Sequence, residues 1–152
     1  MVDPAITTQA IRPATERDAV EIARLLTTLG HSTTVESIVT RWNEWRGEGN
    51  LALVASSPDG ALAGLVTLHH MLVLHRPLPV GRITALIVDP SSRGRGIGRA
   101  LVAAAEEALT RSGCGLLEIT SNQRLTDAHR FYERLGYEQT STRFAKALMP
   151  ID

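Results

Sequence analysis

Residues 93–100 read Arg-Gly-Arg-Gly-Ile-Gly-Arg-Ala, with an apolar run before them (residues 83–88) and a helical pattern after them (residues 101–109). Glycines at every second position reach backbone angles closed to other residues and keep side chains out of the way of a ligand. A helix that starts here turns its unpaired N–H groups back onto the loop. The helix dipole contributes partial positive charge, and Arg93, Arg95 and Arg99 contribute full charges, so the stretch predicts a cradle for phosphate or pyrophosphate. Strand, anion loop and helix follow in that order.

Two common phosphate loops do not fit. A Walker loop needs Gly-Lys followed by Ser or Thr, whereas Gly98 is followed by Arg99 and Ala100. A dinucleotide fingerprint needs Gly-x-Gly-x-x-Gly, and its last place falls on Arg99 or Leu101, although Glu118 lies about where an acidic ribose ligand would fall. Composition narrows the partners. The chain of 152 residues is 43% hydrophobic, which suits one globular domain over residues 1–152. Lys plus Arg and Asp plus Glu are 16 each, so no global field recruits nucleic acid or an anionic membrane. Residues 1–9 lack a basic segment followed by an apolar core, and no run approaches a membrane span, so a cytoplasmic location is expected. Cys114 has no partner for a disulfide.

In chain order, residues 10–14 predict a short strand, and Thr15 with Asp18 caps a helix whose Ile22, Leu25, Leu26 and Leu29 share one face. A second helix is expected from Thr33, with Glu36 completing a capping box and Val35, Ile38, Trp42 and Trp45 at helical spacing. Residues 51–55 and 61–71 predict antiparallel strands joined by the Ser57-Pro58-Asp59-Gly60 turn, and residues 81–88 the strand that enters the cradle. The helix over residues 98–111 turns Leu101, Ala104, Ala105, Ala108 and Leu109 inward. Residues 116–120 predict a strand parallel to the one before the helix. Ala128, Phe131, Tyr132 and Leu135 then form a helical face ended by Gly136, and residues 141–148 predict a closing strand.

Arg93, Gly96 and Gly98 satisfy Arg-x-x-Gly-x-Gly, and Ala128, Tyr132, Gly136 and Tyr137 satisfy Ala-x-x-x-Tyr-x-x-x-Gly-Tyr. With the opening Ile-Arg-Pro-Ala-Thr, these motifs resemble those of the GCN5-related N-acetyltransferase (GNAT) superfamily over nearly the whole chain. The stretch around Arg124, with Arg143 and Lys146, is most similar to the branch that includes aminoalkylphosphonate acetyltransferases. The resemblance implies an α/β fold: a mixed, mostly antiparallel sheet, splayed at the acetyl-CoA site, with helices on both faces. It implies acetyl-CoA as cosubstrate, held by Arg93, Gly94, Arg95, Gly96, Ile97, Gly98 and Arg99 and by the main chain near Leu86, Ile87 and Val88.

The implied reaction is direct transfer of acetyl to a primary amine of a small molecule, with Tyr132 as general acid. A phenol near pKa 10 keeps its proton at neutral pH and can give it to a departing thiolate. The stretch before the cradle has no carboxylate to serve as base, which leaves Glu118, His69, His70 or a water chain as candidates. The asparagine that relatives place ahead of the tyrosine helix is replaced by Leu125, with Asn122 as the candidate substitute, while Arg124 is a candidate for an anionic group. Trp42 and Trp45 are core anchors or one wall of an acceptor pocket. His69, His70 and His75 lack a carboxylate or thiolate at ligand spacing, so no metal is expected. Transfer to a protein or peptide amine, and a non-catalytic acyl-CoA-binding module, are the alternatives; homodimers are frequent among relatives.

Overall fold

The computed structural model describes residues 10–150, so the targeting reading of residues 1–9 lies outside it. Two compact units divide the chain, one ending at Ile119 and one beginning at Thr120. The first holds strands β1 (Ala10–Pro13), β2 (Asn50–Ser56), β3 (Leu62–Met71), β4 (Val80–Val88) and β5 (Leu116–Ile119). It also holds helices α1 (Ala19–Thr28), α2 (Val35–Gly47) and α3 (Ile97–Arg111). The strands lie in the order β1-β2-β3-β4-β5; the first three pairings are antiparallel and β4 with β5 is parallel.

The way β4 is paired positions everything that follows. Strand β5 accompanies it only from Val80 to Ile83, whereas β3 follows it to Val88. One side of the main chain from Thr84 to Val88 therefore has no β5 partner. The change falls at an irregularity in the ladder: Leu68 faces Ile83 and Thr67 faces Ala85, which leaves Thr84 as an extra residue. Such a bulge bends a strand and raises its twist. The sheet is thus splayed beyond Ile83, as expected.

Helices cover both faces. Leu65 of β3 packs in one cluster with Ile22, Leu25, Trp42, Val54 and Ile87, the face covered by α1 and α2. The next residue back points the other way, as strand alternation requires. A Cβ on Gly64 would lie 2.7 Å from Leu101 Cδ1, and one on Gly81 2.5 Å from Leu109 Cδ1, so glycine in the strands lets α3 sit close on the opposite face. Leu101, Ala105 and Leu109 are buried as expected; Val102 is buried too, while Ala104 and Ala108 are half-buried.

The local signals hold with small shifts. Thr15 N–H donates to Asp18 Oδ2 at 2.8 Å, and Asp18 also takes both ends of the Arg12 guanidinium at 2.8 Å each. Helix α2 starts one residue later than its capping pattern predicts: the Thr34 hydroxyl accepts from Ser37 N–H at 3.1 Å, while Thr33 spends its hydroxyl on His31 O. In the second unit, α4 (Thr126–Arg134) ends at Gly136, whose φ of +93° suits glycine. The closing strand expected over residues 141–148 does not form. A strand needs a neighbour for its main chain and cover for its apolar side, yet Phe144 and Leu148 stay about nine-tenths exposed.

Candidate active site

The cradle stands at the end of β4. Pro90 opens a short 3-10 turn, Pro90–Ser92, after which Gly94 and Gly96 take φ of +79° and +78°. Gly96 is the N-cap of α3, so the N–H groups of Ile97, Gly98 and Arg99 have no helical partner and face the loop. A Cβ on Gly94 or Gly96 would meet nothing within 4 Å. The glycines are therefore required by backbone conformation, and the space in front of them is open. Arg95 and Arg99 are exposed and have no ion pair or hydrogen bond among the described residues, while Arg93 Nε donates to Val88 O at 3.4 Å. A pyrophosphate fits such a nest of N–H groups and uncommitted cations.

A network fixes the point where β4 hands over to the cradle. Arg24 of α1 donates to both Glu21 oxygens, to Asp89 Oδ1 at 3.0 Å and to Leu62 O at 3.0 Å. Glu21 Oε1 in turn accepts from Leu62 N–H, and Asp89 N–H donates to Ala63 O. Hydrogen bonding from Arg24 holds the Glu21 carboxyl below its ordinary range, and Ser91, followed by Arg24, does the same for Asp89. Sequence reasoning missed this strut. Its only local signal was the Glu21–Arg24 spacing, since Asp89 lies far along the chain.

On the face covered by α1 and α2, a cleft of about 500 Å³ is lined by residues that include Ile38, Arg41, Trp42, Glu44, Trp45, Glu48 and Thr67. Trp42 and Trp45 have ring centroids 5.5 Å apart, tilted by 35°. Trp42 is 8% exposed and anchors the core, whereas Trp45 is half-buried at its edge. The Thr67 hydroxyl lies 2.7 Å from that of Thr84, the bulged residue. The cleft thus reaches β4 at the place where β5 leaves it.

Glu118 stands in register with Arg82, whose Nε and Nη2 both donate to Glu118 Oε1. Its side chain is committed to a cross-strand ion pair. His69 and His70 face Arg82 and Gly81, in the half of β4 that β5 still accompanies. Neither histidine adjoins the splay. Among the described residues no group of three or more His, Cys, Asp or Glu could hold a metal ion, and no helix is long and apolar enough to cross a membrane. Cys114 lies near Ser112, at the far end of α3 from the cradle.

In the second unit, Asn122 Oδ1 accepts from Arg124 N–H at 2.9 Å and Asn122 O lies 2.9 Å from His129 Nε2, which ties the turn before α4. Tyr132 is half-buried against Phe131 and Tyr137, with ring centroids 5.3 and 6.1 Å away. Burial pushes its phenol above the ordinary value. Its hydroxyl has no hydrogen-bond partner among the described residues, unlike a core tyrosine satisfied on a carbonyl.

Comparison with known proteins agrees with this geometry. Residues 19–137 match the family model described as Acetyltransferase (GNAT) family. The chain is 43% identical over 90 residues to an aminoalkylphosphonate N-acetyltransferase of Salmonella typhimurium, a match spanning 59% of this chain and 58% of that protein. It is 30% identical over 146 residues to an aminoglycoside N(6')-acetyltransferase type 1 of Stenotrophomonas maltophilia, covering 93% and 94% of the two chains. A crystal structure of a Trypanosoma brucei acetyltransferase superposes with a TM-score of 0.83 at 26% identity, covering 92% of this chain and 99% of that one. The glycine cradle, the parted strands and the matched length together make this chain a member of the GNAT acetyltransferase family.

Proposed function

We propose that the protein transfers acetyl from acetyl-CoA to a primary amine of a small molecule, with both units acting as one N-acetyltransferase domain. The observation that carries this reading is the cradle conformation: two glycines at positive φ, open space before them, and Arg95 and Arg99 uncommitted. The two curated relatives described above, which bear the names of acetyltransferases for aminoalkylphosphonates and aminoglycosides, support a small amine as acceptor.

Bound acetyl-CoA supplies an activated acetyl thioester. In the proposed mechanism Arg93, Arg95, Arg99 and the first N–H groups of α3 neutralise its diphosphate. The main chain of Leu86, Ile87 and Val88, which has no β5 partner, offers hydrogen bonds to the amide-bearing arm and to the carbonyl oxygen as negative charge develops there. The amine nitrogen forms the new C–N bond as the C–S bond breaks. Tyr132, kept protonated by burial, gives its proton to the sulfur and regains one from solvent. Glu118 is occupied by Arg82 and the histidines lie beside the paired half of β4, so we assign removal of the amine proton to water. Arg82 and Glu118 tie β5 to β4 just before the strands part. We assign the cleft beside Trp45 to the acceptor.

Calorimetric titration with acetyl-CoA and with NADH, followed by a thiol-release assay over a panel of amines, tests the proposal. Binding of acetyl-CoA and release of CoA by an amine are expected. Absence of acetyl-CoA binding would end this reading of the cradle, and binding without turnover by any amine would favour a non-catalytic acyl-CoA-binding module.

A further inference from the structure

We propose that the acceptor is an oligocationic amine, carrying at least a second ammonium besides the nitrogen acetylated, with the cleft beside α2 holding that second charge. The inference rests on the transfer reading above and names the acceptor class for it. Arg41, Glu44 and Trp45 of α2 and Glu48, the residue that caps its C-terminus, all line the cleft. Glu44 and Glu48 are four residues apart and joined through the main chain, Glu48 N–H donating to Glu44 O at 3.2 Å, while neither carboxylate has a hydrogen bond or ion pair among the described residues. Like charges at this spacing repel, and the helix C-terminus beside them is itself the negative end of the dipole, so a bound cation relieves the pair. Among the described residues Arg41 is the one cationic residue of the lining, and its Nη2 is spent on Ser37 Oγ at 3.0 Å. Two carboxylates against one tethered guanidinium leave the lining net negative.

The aromatic wall selects in the same sense. An ammonium over an indole face is attracted by the ring quadrupole, and Trp45, half-buried at the edge of the core, lines the cleft with the two carboxylates. A volume of about 500 Å³ accommodates a ligand well beyond a single short amine. With the second charge on α2, the reacting amine is directed toward Thr67 and Thr84, where the cleft meets the splayed strand. An acceptor ending in phosphonate meets the wrong sign at Glu44 and Glu48.

The test compares kanamycin and spermidine with butylamine, which has one ammonium, and 3-aminopropylphosphonate, which has an anionic tail. Thiol release should give the oligocations a kcat/KM at least about tenfold above the other two, a preference of the size expected of a few charge and cation–π contacts. Glu44→Gln and Glu48→Gln should each lower the spermidine-to-butylamine ratio about threefold to tenfold, chiefly through the KM of spermidine. A higher kcat/KM for the phosphonate, or a ratio unmoved by both substitutions, would overturn the inference while leaving acetyl transfer standing. Calorimetry of spermidine into the CoA-loaded protein separates the remaining cases. Binding weakened by both substitutions without turnover would sink the transfer reading and keep the ligand class; no spermidine binding would sink the ligand class itself.

Discussion

The cradle occupies one short run, Arg93 to Arg99, and what it offers a ligand is mostly main chain; the cleft gathers side chains from Ile22 to Thr67, and its chemistry sits at their tips. A diphosphate presents the same oxygens whatever amine is acetylated. In the proposed reading, glycine angles and helix N–H groups therefore suffice for it, and they tolerate changes in neighbouring side chains. An acceptor is told apart by charge and shape, which main chain alone does not supply. If this division is right, substitutions in the two regions should separate cleanly in steady-state kinetics. Cradle variants move the KM for acetyl-CoA, and cleft variants move the KM for the amine.

The largest effect should come from Gly96→Asp. At φ +78° any side chain is strained, and a carboxylate at the N-cap both fills the open space and repels the diphosphate. Acetyl-CoA affinity by calorimetry should fall by at least about 100-fold, equivalent to about 2.7 kcal/mol. The far-ultraviolet spectrum should stay unchanged. An affinity within threefold of wild type would place the cofactor elsewhere.

Tyr132→Phe should sharpen the division by moving neither KM. It should lower kcat by about 10- to 100-fold on a substrate whose chemistry limits turnover. Because burial raises the phenol above its ordinary pKa of 10.0, the protonated, active form persists further into alkali than a free tyrosine would. The kcat profile should stay level through about pH 9 and fall only above about pH 10, and the Phe variant should lose that alkaline limb. An unaltered limb would take Tyr132 out of the proton transfer.

The same division explains what could be read from the chain alone. The conformation of residues 93–99 was legible because its causes are local: the glycines, the helix start and the charges are neighbours in sequence. The antiparallel pair joined at Ser57 to Gly60, the parallel β4–β5 crossover and most of the inward face of α3 were legible because turn residues, the intervening helix and helical spacing are local signals. The cleft was only half legible. Trp42 and Trp45 stand out, but Thr67 joins them through a bulge at Thr84, and nothing local announces an extra residue in a ladder. Glu118 shows the limit for single residues. In sequence it is a free carboxylate on a strand near the cradle; paired across to Arg82 it is a clasp. Residues 141–148 were expected to close the sheet, yet a stretch becomes a strand only when something pairs and covers it, and Phe144 and Leu148 stay exposed.

Arg24→Met is the intermediate case, since Arg24 touches no ligand and joins α1 to the residue that precedes the cradle. Asp89 and Glu21 would lose their shared cation while still partly shielded, with side-chain exposures of 20% and 26%. We expect a stability loss of about 1–2 kcal/mol in urea unfolding, discounted for the 41% exposure of Arg24 itself. The KM for acetyl-CoA should rise about tenfold with little change in the KM for the amine, because a shifted Asp89 moves the loop by a fraction of an ångström. Arg24→Lys should recover only part of both effects, as an ammonium cannot span two carboxylates and Leu62 O in the fixed fork of a guanidinium. A stability loss with an unmoved acetyl-CoA KM would make the strut purely structural.

Arg95→Gln should give the smallest effect and is the finest probe of how the cradle divides its work. Arg95 is exposed and uncommitted, so its contribution to a diphosphate is that of a screened surface charge, whereas the N–H groups of α3 act at contact. The KM for acetyl-CoA should rise about threefold at low ionic strength. The difference from wild type should shrink toward unity by about 0.5 M salt, where the Debye length is only a few ångströms. A loss that persisted in high salt would mean that Arg95 makes a desolvated, bidentate contact, and the cradle would then depend on side chains as much as the cleft does.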